Sequence, residues 1–185
     1  MTKLLRERHS DSSLPATNPF NASDVAEILR EHRWLAGDSG PEIAAWCERA
    51  AALLGPHCED RAKLSDLLGL IFHYDAGEIL QRVESHAALS RHAAREVLRR
   101  LALLLLPGGE LDSEKFKEIV SALKKDMELR SRDLFHPIRL ALAGRAGEGD
   151  LDRVILLLDS AALLPFAVSA KSSRVRILQF CAALD

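Results

Sequence analysis

Apolar residues recur along this chain at three- and four-residue intervals, separated by short polar or Gly/Pro stretches. That period predicts a string of amphipathic helices and an all-α fold with no convincing strand. Val25, Ile28 and Leu29 form the first stripe, with Ser23 as its expected N-cap. Ser39-Gly40-Pro41 opens a second helix with Ile43, Trp46, Ala50 and Leu53 inward, and Gly55-Pro56 closes it. Asp60 starts a third, whose stripe is Leu64, Leu67, Leu68 and Ile71. Glu78 to Val83 predicts a short helix and Ser90 to Leu106 a longer one, stopped by Pro107-Gly108-Gly109.

The second half opens on a cap and a staple. Asp112 at the N-cap places Leu111 and Phe116 where two apolar side chains close over an entry turn, and Ile119, Val120, Leu123 and Met127 continue that face. Leu134, Ile138 and Leu142 share the next face, behind Asp133 as cap and with Pro137 expected in the first turn. Gly144 supplies a left-handed residue that ends this helix after about two turns. Arg145 to Gly149 reads as a loop, and Asp150 as the N-cap of a helix from Leu151 to Leu164 that is apolar nearly all round and so deeply buried. A last helix carries Val175, Ile177, Leu178 and Cys181; Pro165 to Val168 has an extended alternative. The punctuation predicts a polar tail over 1–20 and two helical subdomains, 21–106 and 110–185.

Composition narrows the chemistry. Of 185 residues, 48% are hydrophobic but only 5% aromatic, which calls for a Leu/Ala core between helices. No apolar run approaches the roughly 20 residues that span a bilayer, and the first residues lack a signal-peptide core, so no membrane association is expected. Three cysteines, Cys47, Cys58 and Cys181, form no close pair and fit reduced thiols in the cytoplasm. Cys47, His57, Cys58 and His73 lack metal-ligand spacing, so no metal site or cofactor is expected. His86 and His92 near Ser85 and Ser90 lack an oriented third group, so no catalytic residue is assigned. The formal net charge is −2, so a basic face can arise only by local arrangement. The richest stretch for that is Lys115 to Arg145, where an ordinary solvated helix is the competing reading.

The run Leu134-Phe135-His136-Pro137-Ile138-Arg139-Leu140-Ala141-Leu142-Ala143-Gly144-Arg145, followed by a Gly-rich loop and a helix, resembles the C-terminal anticodon-binding region of bacterial glutamyl-tRNA synthetases. Leu111 to Val120 is similar to that family's penultimate helix, and Ala45 to Pro56 with Leu64 to Tyr74 to its helix pair ending in an aromatic corner. The resemblance implies a tRNA-binding module that grips the anticodon stem-loop by splaying unpaired bases against loops and helix ends. The positions it marks are Arg49 and the run from Asp133 to Gly149, especially His136, Arg139, Gly144, Arg145 and Gly147; Lys124 and Lys125, one helix earlier, are further RNA-binding candidates, for phosphates. Arg49 and Arg139 also have structural readings, the first lying along its helix and the second pairing with a buried carboxylate. No adenylate-forming α/β pattern is present, so the expectation is a non-enzyme acting with a separate catalytic partner. The alternative is a diverged module that has lost RNA binding and associates with protein through its helical faces.

Overall fold

A computed structural model of the chain describes residues 18–37, 40–129 and 131–185. The expected tail up to residue 17, the Ser39 helix opening and Arg130 lie outside the described residues. Among those described there is no strand, and the helices are α1 (Ala22–Glu31), α2 (Pro41–Leu54, continued by a 3-10 turn, Gly55–His57), α3 (Arg61–Phe72), α4 (Ala76–Leu80), α5 (Val83–Leu89), α6 (Ala94–Leu105), α7 (Ser113–Met127), α8 (Ser131–Ala143), α9 (Asp150–Ala162) and α10 (Ser173–Leu184).

Local capping chemistry sets most of these bounds. Asp60 accepts from the Lys63 amide at 2.7 Å and Asp112 from the Lys115 amide at 2.9 Å, as their spacing predicts. α1 starts on Asn21 rather than Ser23. The Asn21 side chain takes the Ser23 and Asp24 amides while Asp24 returns a bond to the Asn21 amide at 2.8 Å, a reciprocal box Ser23 has no partner to close. The expected Glu78–Val83 helix is two short ones. Asp75 caps α4, and the left-handed Ala93, at φ 60°, delays the start of α6 to Ala94.

α8 departs most from expectation. It spans Ser131–Ala143 with Pro137 in its interior, so Asp133 is no cap. The ring removes the amide that would bond the Asp133 carbonyl. The Asp133 carboxylate instead meets Arg91 at 3.0 Å, which ties the N-terminal half of α8 to the α5–α6 turn. Asp150 likewise is the first residue of α9, not its cap, and its side chain pairs with Lys63 on α3 at 2.9 Å.

α9 is the centre of the molecule. Leu151, Val154, Ile155, Leu157, Leu158 and Ala161 are buried on it, and it packs on α2, α3, α8 and α10. α8 packs on α5 and α6, and α10 on α4 and α6, so one cluster of buried side chains runs through elements on both sides of Pro107–Gly109. α10 buries Arg176, Ile177 and Phe180, while Val175 and Leu178, expected inward, are 41% and 42% exposed. The reason is Arg176. Its guanidinium donates to the carbonyls of Leu70 and Ile71 at the end of α3 and of Leu142 at the end of α8, at 2.9, 2.6 and 2.8 Å. A cation across two helix C-termini satisfies carbonyls that have no donor of their own, and this rotates α10 so that Arg176 faces in.

Candidate nucleic-acid interface

Gly144 ends α8 in the left-handed region at φ +81°, and its amide donates to the Leu140 carbonyl at 3.1 Å. A side chain here would be strained by that angle and would meet Ile79 Cδ1 at 3.2 Å. Its own carbonyl accepts from Arg82 at 3.0 Å. The chain then enters the loop 145–149, which is pinned from two sides.

On the inner side is Arg139. Its Nε and Nη2 donate to the two Asp152 oxygens at 2.7 and 2.8 Å, and its Nη1 to the Gly147 carbonyl at 2.6 Å. The side chain is only 10% exposed, so this arginine is committed to tying α8, the loop and α9 together. The loop passes close to α9 at Gly147, where a Cβ would lie 3.0 Å from Leu151 Cδ1. On the outer side, Arg145 makes a two-pronged pair with Asp66 of α3 at 2.7 and 3.0 Å, beside the Lys63–Asp150 pair. The Arg145 hydrogen bonds hold the Asp66 carboxyl below its ordinary range.

A second group of candidates gathers around α8. Lys124 of α7 lies 5.5 Å from the centre of the Phe135 ring and the Arg139 guanidinium carbon 4.8 Å from it. Phe135 thus links these two candidates. Lys125 is exposed, with no ion pair among the described residues. His136 is half-buried, and burial pushes its pKa down, reinforced by Arg91, Arg139 and Arg132 and opposed by Glu148. Of these three arginines, Arg91 is paired with Asp133 and Arg139 with Asp152. Arg49 stands apart. It pairs with Glu110 at 2.8 Å and donates to the Leu156 carbonyl at 3.2 Å, and no hydrogen bond among the described residues joins it to the 145–149 loop.

Lys63, Asp66, Arg82 and Asp152 shape this region, and sequence reasoning did not single them out. Asp152 alone carried a signal, as an acid in the first turn of α9. The others lie on elements joined to the loop only by the fold. Among the described residues no three His, Cys, Asp or Glu side chains cluster to hold a metal, and no helix is long and apolar enough to cross a membrane. Cys47 and Cys58 are buried free thiols whose pKa burial pushes up to about 11.

The family model for the anticodon binding domain matches residues 21–164, which takes in α1 through α9 with the capped helix, the loop and both pins. The chain belongs to the anticodon-binding domain family. It is similar to part of the glutamate-tRNA ligase of Bacillus subtilis, at 28% identity over 143 residues, or 75% of this chain and 29% of that protein. The Bacillus velezensis glutamate-tRNA ligase matches to the same extent, and glutamate-tRNA ligase 2 of Syntrophus aciditrophicus is 27% identical over 114 residues, 61% of this chain and 23% of that protein. The chain therefore spans less than a third of the length of these relatives. No solved structure matches it. In this member of the family α10 lies beyond the matched residues, although its Arg176 closes the ends of two helices within them.

Proposed function

We propose that this chain is a tRNA-binding module that holds the anticodon stem-loop against the 145–149 loop and the adjoining face of α8, with adenylate formation and aminoacylation carried by a catalytic partner. The observation that supports this reading is the coincidence of the family match with a pre-shaped loop. Arg139, buried on Asp152, holds the loop at the Gly147 carbonyl and Arg82 holds it at Gly144, while Lys124 lies over Phe135 of α8 and Arg132 acts on His136 of the same helix. Unpaired bases need such a rigid rim to be held unstacked, and planar arginine donors suit base edges and phosphates alike. Within that rim, Lys124 and Lys125 face phosphates, Arg145 faces bases, and Arg139, Gly144 and Gly147 keep the loop in shape. The site of action is the cytoplasm, where tRNA is charged.

Anisotropy titrations with anticodon hairpins and with total tRNA at two salt concentrations test this. Saturable binding that weakens as salt rises is expected, because neutralised phosphates release counterions. Absence of binding at low salt overturns the proposal. A second reading, association with protein, draws on the exposure of Leu103 at 65% and Leu163 at 83%; it takes over if RNA binding is absent.

A further inference from the structure

Two arginines meet the loop with different geometry. Arg139 presents one edge of its guanidinium, Nε with Nη2, to Asp152 and gives Nη1 to the Gly147 carbonyl, so its donors are turned inward. Arg145 is held end-on instead. Its Nη1 and Nη2 each donate to one oxygen of Asp66 at 2.7 and 3.0 Å, and its Nε has no acceptor among the described residues. A guanidinium carries five N–H groups in one plane, so end-on pairing leaves the Nε–H and an outward Nη–H side by side on a free edge. The Arg145 side chain is 35% exposed, against 10% for Arg139, so that edge is open to a ligand.

The charges around Arg145 say what kind of ligand suits it. Asp66, Glu84 and Asp150 act on it, with Lys63 beside them. A phosphate arriving there finds Arg145 already paired with Asp66 and Lys63 with Asp150, and is repelled by Glu84. A neutral base edge is not repelled.

We propose that Asp66 and Arg145 form a reading pair, in which Asp66 fixes the plane of the guanidinium and the free edge of Arg145 takes an unpaired base presenting two adjacent acceptors. Guanine offers O6 and N7, and cytosine N3 and O2; adenine and uracil place a donor beside each acceptor on their polar edges and match only one N–H. Asp66 touches no RNA in this arrangement and is a positioning residue. The Lys63–Asp150 pair at 2.9 Å braces the far end of the same loop against α3, so the reading edge is held from both ends. This inference rests on the RNA-binding reading and adds to it the base class and the residue that sets it.

The test uses the full chain, Asp66→Asn and Arg145→Ala, titrated with hairpins that carry each of the four bases at each unpaired loop position. The wild-type chain is expected to prefer guanine or cytosine over adenine and uracil at one position by about ten- to a hundredfold. Asp66→Asn and Arg145→Ala both reduce that ratio to about threefold or less, with the slope of log Kd against log salt unchanged. The Asp66 side chain is 44% exposed, so the fold survives the substitution, and thermal melts verify this. Tighter binding of every hairpin by Asp66→Asn would show that the pair sequesters Arg145 and would overturn the proposal. A uniform loss with a shallower salt slope overturns it too, because that marks a phosphate contact. Wild-type binding without base preference removes this inference alone, whereas no wild-type binding at low salt removes the RNA reading with it.

Discussion

The guanidinium carbon of Arg176 lies 4.4 Å from the centre of the Tyr74 ring, and the Tyr74 hydroxyl donates to the Ala141 carbonyl at 2.5 Å. Cation, ring and helix end thus form one stack joining α10 to the ends of α3 and α8. Burial pushes the Arg176 pKa down to about 10, which leaves it charged at neutral pH. Its acceptors are carbonyls alone, including Lys171 at 3.0 Å, so the negative ends of two helices stand in for a carboxylate.

Arg176→Ala is therefore expected to be the most damaging single truncation in the chain. It leaves several buried carbonyls without donors and opens a void under Tyr74, for a loss of about 3–5 kcal/mol. Arg176→Lys recovers only part of this, because an ammonium cannot span both helix ends. Urea unfolding followed by circular dichroism measures both, and wild-type stability in Arg176→Ala would contradict the clamp.

Arg139→Lys is expected to behave more like Arg139→Ala than like the wild type. The pair with Asp152 needs two parallel donors, which lysine does not have. With side chains 10% and 22% exposed, breaking the pair costs about 2–3 kcal/mol. A double-mutant cycle with Asp152→Ala reads the coupling, and additive losses would refute it.

Gly144→Ala destabilises by about 1–2 kcal/mol, since φ +81° penalises any Cβ and Ile79 Cδ1 sits 3.2 Å from where it would go. The measurement is a shift in the urea midpoint with unchanged slope. Ile79→Ala, itself costly because Ile79 is buried, is expected to cost less in the Gly144→Ala background than in the wild type, since the contact is already strained there.

His136 gives stability an acid-side pH dependence. Its folded pKa lies below the ordinary 6.5, so the unfolded chain takes up the proton first. The contribution is full above about pH 7 and is lost as pH falls through 6.5 toward the folded value. His136→Gln should flatten this part of the stability profile. Bound RNA phosphate near the ring reverses the shift, so hairpin affinity is expected to rise from pH 7.5 to 6 in the wild type and not in the variant. Titrations at the two pH values check it.

Replacing Lys124 and Lys125 with Ala is expected to weaken every hairpin alike and to lower the salt slope by about one to two. Base preference stays as it was. A selective loss for one hairpin would instead make these lysines base readers.

Much of this molecule follows from local rules. The caps at Asp60 and Asp112, the burial of Leu111 and Phe116 beside the second cap and the left-handed Gly144 depend on residues within about one helical turn of each other, so their spacing announces them. By contrast α9, apolar nearly all round in sequence, leaves Leu156 half-buried and is followed by Leu163 at 83% exposure. The run from Pro137 to Gly144, on which the resemblance rests, lies within the residues that match the anticodon-binding family. Position within a helix was less legible. Pro137 suits a first turn by its own chemistry, yet it lies inside α8, where the Arg91–Asp133 pair anchors the turn that precedes it. Only the tertiary structure decided which arginine turns inward and which outward. Arg139 meets a carboxylate 13 residues away, Arg145 one 79 residues away and Arg176 carbonyls more than 100 residues away. A periodic stripe records which residues avoid water. The partner of a charge depends on which helix ends the packing of apolar faces brings together, and that packing is a property of the whole chain.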